Sequence, residues 1–189
     1  MKLLSIDAST KSTGWSVFEN NNLIDFGCLI ASSTDLIKRI QKIITGIADL
    51  CDKYNIDTIV LEEVRPDIGG FGVGNQKTHK ALMYLQAAIA FLLHDNYPKI
   101  KVEYLYPSEW RKACKIQTGR GIERKTLKQA DIAFVQRTFN IEIDQNDDIA
   151  DAIGIGYAYL FNKDQLTKSF ETNSKNSPYQ IEIPSESAF

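Results

Sequence analysis

The chain has 189 residues, of which 43% are hydrophobic and 24% are charged. These values are typical of one globular domain, with or without a tail, and they exclude a largely disordered protein. No apolar run approaches the roughly 18 residues of a membrane span, and Asp7 interrupts the first apolar run too early for a signal peptide. We therefore expect a cytoplasmic protein in which Cys28, Cys51 and Cys114 stay reduced.

The net charge of −2 hides two segments of opposite charge. Residues 111–128 hold seven basic side chains and one acid, whereas residues 141–189 hold nine acids and three lysines. A ligand responds to the local charge and not to the average. The basic segment is a candidate phosphate-binding surface, although a solvated helix face would have the same composition. The DNA-contacting candidates in it are Arg111, Lys112, Lys115, Arg120, Arg124 and Lys128.

The spacing of apolar residues predicts strands and helices in alternation. In chain order, the predicted elements are strands at 2–7, 14–19 and 23–29, a helix at 35–54, a strand at 58–61, a helix at 76–94, a strand at 102–106, a short helix from Pro107, and helices at 123–139 and 147–161. Ser33 or Thr34 would cap the first helix. This order predicts an α/β fold with a five-stranded mixed sheet, three antiparallel strands followed by parallel ones, flanked by helices. We expect a domain over residues 1–163 and a polar, loosely ordered tail over residues 164–189.

Four carboxylates fall where burial makes an isolated negative charge costly. Asp7 ends the first strand, Glu62 ends the fourth, and Asp148 and Asp151 share one face of the last helix. Strand ends and a packed helix terminus meet at the edge where α/β sheets bind ligands. Converging acids repel one another, and a divalent cation would resolve that conflict. Three of the acids also have a structural explanation when taken alone: Asp7 is a turn residue, Asp148 is a partner of the helix dipole, and Glu62 competes with Glu63, which faces the other side of the strand. Asp151 is harder to explain in this way, because it lies one turn into an apolar helix.

The segments that carry these acids resemble the three acidic motifs of the RuvC family of Holliday-junction resolvases in order and spacing. They are residues 6–17 (IDASTKSTGWSV), 61–64 (LEEV) and 148–153 (DIADAI). The resemblance covers about residues 1–161 and implies a ribonuclease H-like fold, a homodimer, and metal-dependent cleavage of branched DNA. Such an enzyme would be a crossover junction endodeoxyribonuclease in DNA recombination, repair or phage DNA processing.

The same resemblance implies roles for individual residues. The catalytic metal ligands would be Asp7, Glu62, Asp148 and Asp151, holding two Mg²⁺ ions for which Mn²⁺ can substitute. In this arrangement Asp7 bridges the ions, Glu62 and Asp148 hold them on either side, and Asp151 completes the second ligand set. Lys125 resembles the basic residue that assists catalysis in the family.

The chain departs from the bacterial members of the family at two motifs. Ala8 and Ser9 stand where those members have proline and glycine, and Arg65 stands where they have an aromatic residue. Phe71 would then act as a wedge or stacking residue at the DNA junction, or it packs back onto the core. The segment at residues 107–112 (PSEWRK) looks more like phage-type and other divergent members of the family.

Two other interpretations of function stay open from the sequence. A ribonuclease H-like nuclease acting on structured RNA would carry the same acids. An actin-like ATP-binding half-domain would begin with a similar phosphate hairpin, but it gives Asp148 and Asp151 no purpose. The helix at 76–94 has apolar residues on more than one stripe, which suits either a dimer interface or core packing.

Overall fold

A computed structural model describes residues 1–64, 73–119, 121–144 and 146–175. Its strands are β1 (Lys2–Asp7), β2 (Ser12–Glu19), β3 (Asn22–Ile30), β4 (Thr58–Glu62) and β5 (Lys101–Leu105). They form one five-stranded sheet in the order β3-β2-β1-β4-β5. The β1–β2 and β2–β3 pairs are antiparallel, whereas the β1–β4 and β4–β5 pairs are parallel. The predicted fold class is therefore confirmed.

The helices of the described residues are α1 (Leu36–Tyr54), α2 (Val73–Asn96), α3 (Pro107–Ala113), α4 (Arg124–Phe139) and α5 (Asp147–Lys175). The predicted cap of α1 is wrong, because Asp35 and neither Ser33 nor Thr34 occupies that position. The Asp35 carboxylate accepts hydrogen bonds from the backbone N–H groups of Ile37 and Lys38, at 2.7 and 3.3 Å. None of these helices is long and apolar enough to cross a membrane.

The last helix is longer than its composition indicates. We predicted a helix end at residue 161 and a tail from residue 164, whereas α5 continues through Lys175. Polarity alone does not end a helix; a stop requires a cap or a breaker, and residues 161–175 contain neither proline nor glycine. The predicted end of this helix is therefore wrong, and the division into a domain over residues 1–163 and a loosely ordered tail stays a prediction.

The sheet separates two apolar layers. Along β1, Leu3 packs into the layer formed with α3, α4 and α5, whereas Leu4 and Ile6 pack into the layer formed with α1 and α2. A strand covered on both faces needs apolar side chains in both directions, which explains the continuous apolar run at the start of the chain. The carboxyl end of β1 is therefore held rigidly at the centre of the sheet.

Glycine lets α5 lie directly against the sheet at Gly14. A Cβ added to Gly14 would lie 1.8 Å from the backbone carbonyl oxygen of Asp148. Gly14 is also the β2 partner of Asp7 in the antiparallel ladder. The absence of a side chain at this position therefore brings the first turn of α5 next to the end of β1.

We predict that Gly14→Ala destabilises the protein, because the added methyl group would overlap backbone that cannot move without shifting α5. Overpacking of this kind lowers the free energy of unfolding by about 1–3 kcal/mol. For a chain of this size, each kcal/mol lost lowers Tm by roughly 2–4 °C. Thermal unfolding followed by circular dichroism measures the change. Gly119→Ala is the control, since a Cβ there meets nothing within 4 Å. Equal Tm values for both variants would contradict the prediction.

Candidate active site

A pocket of about 400 Å³ lies at the carboxyl ends of β1 and β4, beside the first turn of α5. Its acidic lining residues are Asp7, Glu62, Asp147, Asp148 and Asp151, and its basic ones are Arg111, Arg124 and Lys128. Because β1 and β4 are parallel neighbours, Asp7 and Glu62 end at the same edge of the sheet. All four acids that the sequence singled out therefore line one pocket.

The pocket solvates its carboxylates poorly. Burial, reinforced by the charges of Glu62 and Asp148, raises the pKa of Asp7 to about 8. Burial, followed by the charges of Asp7 and Asp131, raises the pKa of Asp151 to about 9. Oδ1 of Asp151 is buried and has no hydrogen-bond partner among the described residues. The protein neighbours thus do not fully offset the charged forms of these acids, and the metal-free pocket favours protonation of Asp7 and Asp151.

Helix α3 contacts two of these acids through consecutive residues. Nε1 of Trp110 donates a hydrogen bond to Oε2 of Glu62 at 2.7 Å. Nη2 of Arg111 lies 3.0 Å from Oδ2 of Asp131 and 3.6 Å from Oδ2 of Asp151. The Arg111 side chain is only 15% exposed. The structure therefore places Arg111 inside the acidic pocket, whereas the sequence predicted it on a DNA-contacting surface.

The basic residues of α4 divide between the pocket and the surface. Arg124 and Lys128 are four residues apart, so they share a helix face, and both line the pocket. Lys128 forms an ion pair with Asp147. Lys125 follows Arg124 directly and is turned by about 100° around the helix. It is exposed and is not among the lining residues.

The remaining DNA-contacting candidates lie outside the pocket or outside the described residues. Lys112 on α3 and Lys115 just after it are exposed. Lys115 adopts a left-handed backbone conformation with φ of 57°. Arg120 and Phe71 lie outside the described residues, so their predicted contacts stay predictions.

The sequence did not identify three neighbours of the candidate site: Trp110, Asp131 and Asp147. Asp131 carried a usable signal, because it falls on a stripe of α4 with Leu127 and Val135, where an acid needs a partner. The residue is 1% exposed. Nothing in the sequence pairs it with Arg111, which lies on a different helix.

The donor set fits a hard divalent cation. Mg²⁺ prefers carboxylate oxygens and retains several waters, so an all-acid pocket suits it without histidine or cysteine. The unpartnered oxygen of Asp151 and the raised pKa of Asp7 are both what a pocket built around added positive charge would show. Among the described residues, no three acid, histidine or cysteine side chains already form a coordination group.

We predict that the metal-free protein loses stability as the pH rises. Asp7 and Asp151 have raised pKa values in the folded state, so the folded protein binds more protons than the unfolded one between about pH 4 and pH 8. The free energy of unfolding should fall across this window by at least roughly 1.4 kcal/mol, the equivalent of one pKa unit. Urea unfolding in EDTA at pH 5 and pH 8 measures it.

The variants Asp7→Asn and Asp151→Asn should each flatten this pH dependence, since an amide does not titrate. Asp49→Asn, which removes an exposed acid of α1, should leave the slope as in the wild type. A slope that is the same in all four proteins would refute the assignment to the pocket acids.

A family model described as crossover junction endodeoxyribonuclease RuvC matches residues 3–159. Among curated relatives, the RuvC of Ehrlichia ruminantium (strain Welgevonden) is 26% identical over 170 residues, covering 85% of this chain and 97% of the relative. The RuvC of Halothermothrix orenii is 27% identical over 178 residues, covering 89% of this chain and 99% of the relative.

Solved structures agree with this match at the level of the fold. Thermus thermophilus RuvC in complex with a Holliday junction substrate superimposes with a TM-score of 0.66 at 14% identity, over 87% of this chain and 96% of that one. The yeast mitochondrial Holliday junction resolvase superimposes with a TM-score of 0.59 at 15% identity, over 93% of this chain and 84% of that one. From the family match and the pocket at the edge of the sheet, we conclude that this chain belongs to the RuvC family of crossover junction endodeoxyribonucleases.

Proposed function

We propose that this chain is a Holliday junction resolvase that hydrolyses phosphodiester bonds in branched DNA during recombination, repair or phage DNA processing. The observation that carries the proposal is the meeting of Asp7, Glu62, Asp148 and Asp151 in one pocket of a family member. The family match does not favour an ATP-binding half-domain or a nuclease dedicated to structured RNA.

The cofactor we propose is Mg²⁺, two ions per active site, with Mn²⁺ able to substitute. The four acids would hold the ions, because they are the hard, anionic ligands that converge on the pocket. Bound metal would supply an activated water and stabilise charge on the leaving oxygen. The protein contributes rigid placement, since Asp7 and Glu62 end central strands and Asp148 lies in the first turn of a packed helix.

Basic side chains at the pocket have a separate task, which is to attract phosphate toward an acidic site. Arg124 and Lys128 line the pocket and are the best placed to do so. Lys112 and Lys115 would extend the contact surface along the DNA. The catalytic assistance proposed for Lys125 rests on its position in the sequence, and Lys128 is the neighbouring lysine that the pocket contains.

We predict that Asp7→Asn and Asp151→Asn cleave a labelled four-way junction in Mg²⁺ at least roughly a hundredfold more slowly than the wild type, the cost of losing one charged stabilising group at a reaction centre. Both should still bind the junction in Ca²⁺. Cleavage rates on three-way DNA, linear DNA and an RNA four-way junction, compared with the rate on the four-way DNA junction, show which substrate is preferred. Asp49→Asn, which changes an exposed acid outside the pocket, is the matched control. Wild-type cleavage by either pocket variant would contradict the proposal.

A homodimer would place two active sites across the branch, and α2 offers a surface for it. Leu85, Ile89 and Leu93 of this helix are buried in the core. Its opposite face exposes Met83, Tyr84 and Phe91, with Phe91 70% exposed. An apolar stripe that the core does not use suits a self-complementary contact about a two-fold axis.

We predict that Phe91→Glu weakens this dimer, because it puts a charge into an apolar contact without disturbing the core. Sedimentation velocity at micromolar concentration should give a dimer for the wild type and mainly monomer for the variant. Ile37→Glu is the control, since Ile37 is 65% exposed on α1 and should leave the dimer intact. A wild-type monomer, or dissociation by both variants, would refute the assignment to α2.

A further inference from the structure

Two acids of the pocket come from separate elements, and one short helix contacts both. Glu62 ends β4 and Asp151 lies in the first turns of α5. Consecutive residues of α3 reach one oxygen of each: Trp110 donates to Oε2 of Glu62, and Arg111 lies 3.6 Å from Oδ2 of Asp151. The second oxygen of Asp151, Oδ1, is buried without a partner among the described residues. Each contact therefore engages one oxygen of its acid, and at Asp151 the other oxygen is left for a ligand.

The Trp110 side of this arrangement is fixed by packing. The Trp110 side chain is fully buried in the core layer beneath α5. Gly154, one turn after Asp151, makes room for it, since a Cβ there would lie 2.9 Å from the six-membered ring of Trp110. Confinement of the ring in this way fixes the direction of its single N–H, which donates to Glu62.

The Arg111 side is fixed by a buried counter-ion. Asp131 of α4 accepts from both Nε and Nη2 of Arg111, at 3.2 and 3.0 Å, in a forked contact. The guanidinium group also lies 4.2 Å from the centre of the Trp110 ring. Because the charge of Asp131 offsets that of Arg111, the guanidinium lies against Asp151 without adding net positive charge to the pocket.

We propose that Trp110 and Arg111 form a clamp that positions Glu62 and Asp151, holding one oxygen of each so that the other oxygen remains available to the catalytic cations. This inference rests on the proposed function and deepens it. Trp110, Arg111 and the supporting Asp131 are positioning residues, since they act through the two carboxylates. Without the clamp, the acids would repel one another and turn away from the geometry that the reaction needs.

The test begins with Trp110→Phe, which keeps the ring against Gly154 and removes only the N–H donor. We expect kcat on a four-way junction to fall roughly 10- to 100-fold, the usual cost of losing a group that orients a metal ligand. KM for the junction should stay unchanged, and the Mg²⁺ concentration for half-maximal rate should rise. Trp15→Phe is the matched control, because Trp15 is the one other tryptophan of the chain and does not line the pocket.

Testing the Arg111 contact requires a variant that still folds. Arg111→Gln alone would strand the buried Asp131 charge, so the informative protein is the double variant Arg111→Gln/Asp131→Asn, which removes both charges together. We expect the same loss of kcat with an unchanged KM. Arg111→Lys should recover only part of the rate, since an ammonium group cannot form the forked contact. Wild-type kcat in both Trp110→Phe and the double variant would overturn the clamp.

A second measurement uses no DNA and separates this inference from the proposed function. Ca²⁺ alone should raise the Tm of the wild type and of Trp15→Phe, and should raise it less in Trp110→Phe and in the double variant. Equal Ca²⁺-induced shifts in all four proteins would overturn the clamp even if the wild type resolves junctions. Failure of the wild type to cleave any branched DNA would refute the proposed function, while unequal Ca²⁺ shifts would still support the clamp.

Discussion

The structure depends on holding like charges together where water cannot screen them. Asp7, Glu62, Asp148 and Asp151 line one pocket, and burial, followed by the charges of nearby acids, raises the pKa of Asp7 to about 8 and that of Asp151 to about 9. Such an arrangement costs folding free energy and persists only if the surrounding fold over-determines it. The rigid central strands and the close approach of α5 at Gly14 provide that constraint.

The fold meets this constraint with two kinds of neighbour. Backbone placement brings the acids together, because parallel β1 and β4 end at one edge and α5 begins beside it. Paired side chains then limit the repulsion, with Arg111 shared by Asp131 and Asp151 and Lys128 bound to Asp147. These pairs reduce the negative charge without removing it.

Local patterns identified most of the architecture and left its boundaries uncertain. Continuous apolar runs and helical spacing predicted the five strands of the described sheet and the order of the helices. Such predictions succeed because burial of one or two faces of an element sets the spacing of apolar residues along the chain. The cap of α1 was misplaced because serine, threonine and aspartate accept the same hydrogen bonds. The end of α5 was misplaced because polar residues without a breaker are compatible with a helix, and Lys175 is as far as the described helix extends.

By itself, the sequence determined the fold class and singled out the four acids. A carboxylate at the end of an apolar strand, or on an apolar helix, can be recognised from the order of residues along the chain. Only the tertiary structure decided which basic side chains and hydrogen-bond donors contact those acids. Trp110 and Glu62 are 48 residues apart, and Arg111 and Asp131 are 20 apart, on separate elements. It also placed Lys128 in the pocket and Lys125 outside it. Such partners depend on how helices pack and which way each face turns, and a pattern along the chain does not record that relation.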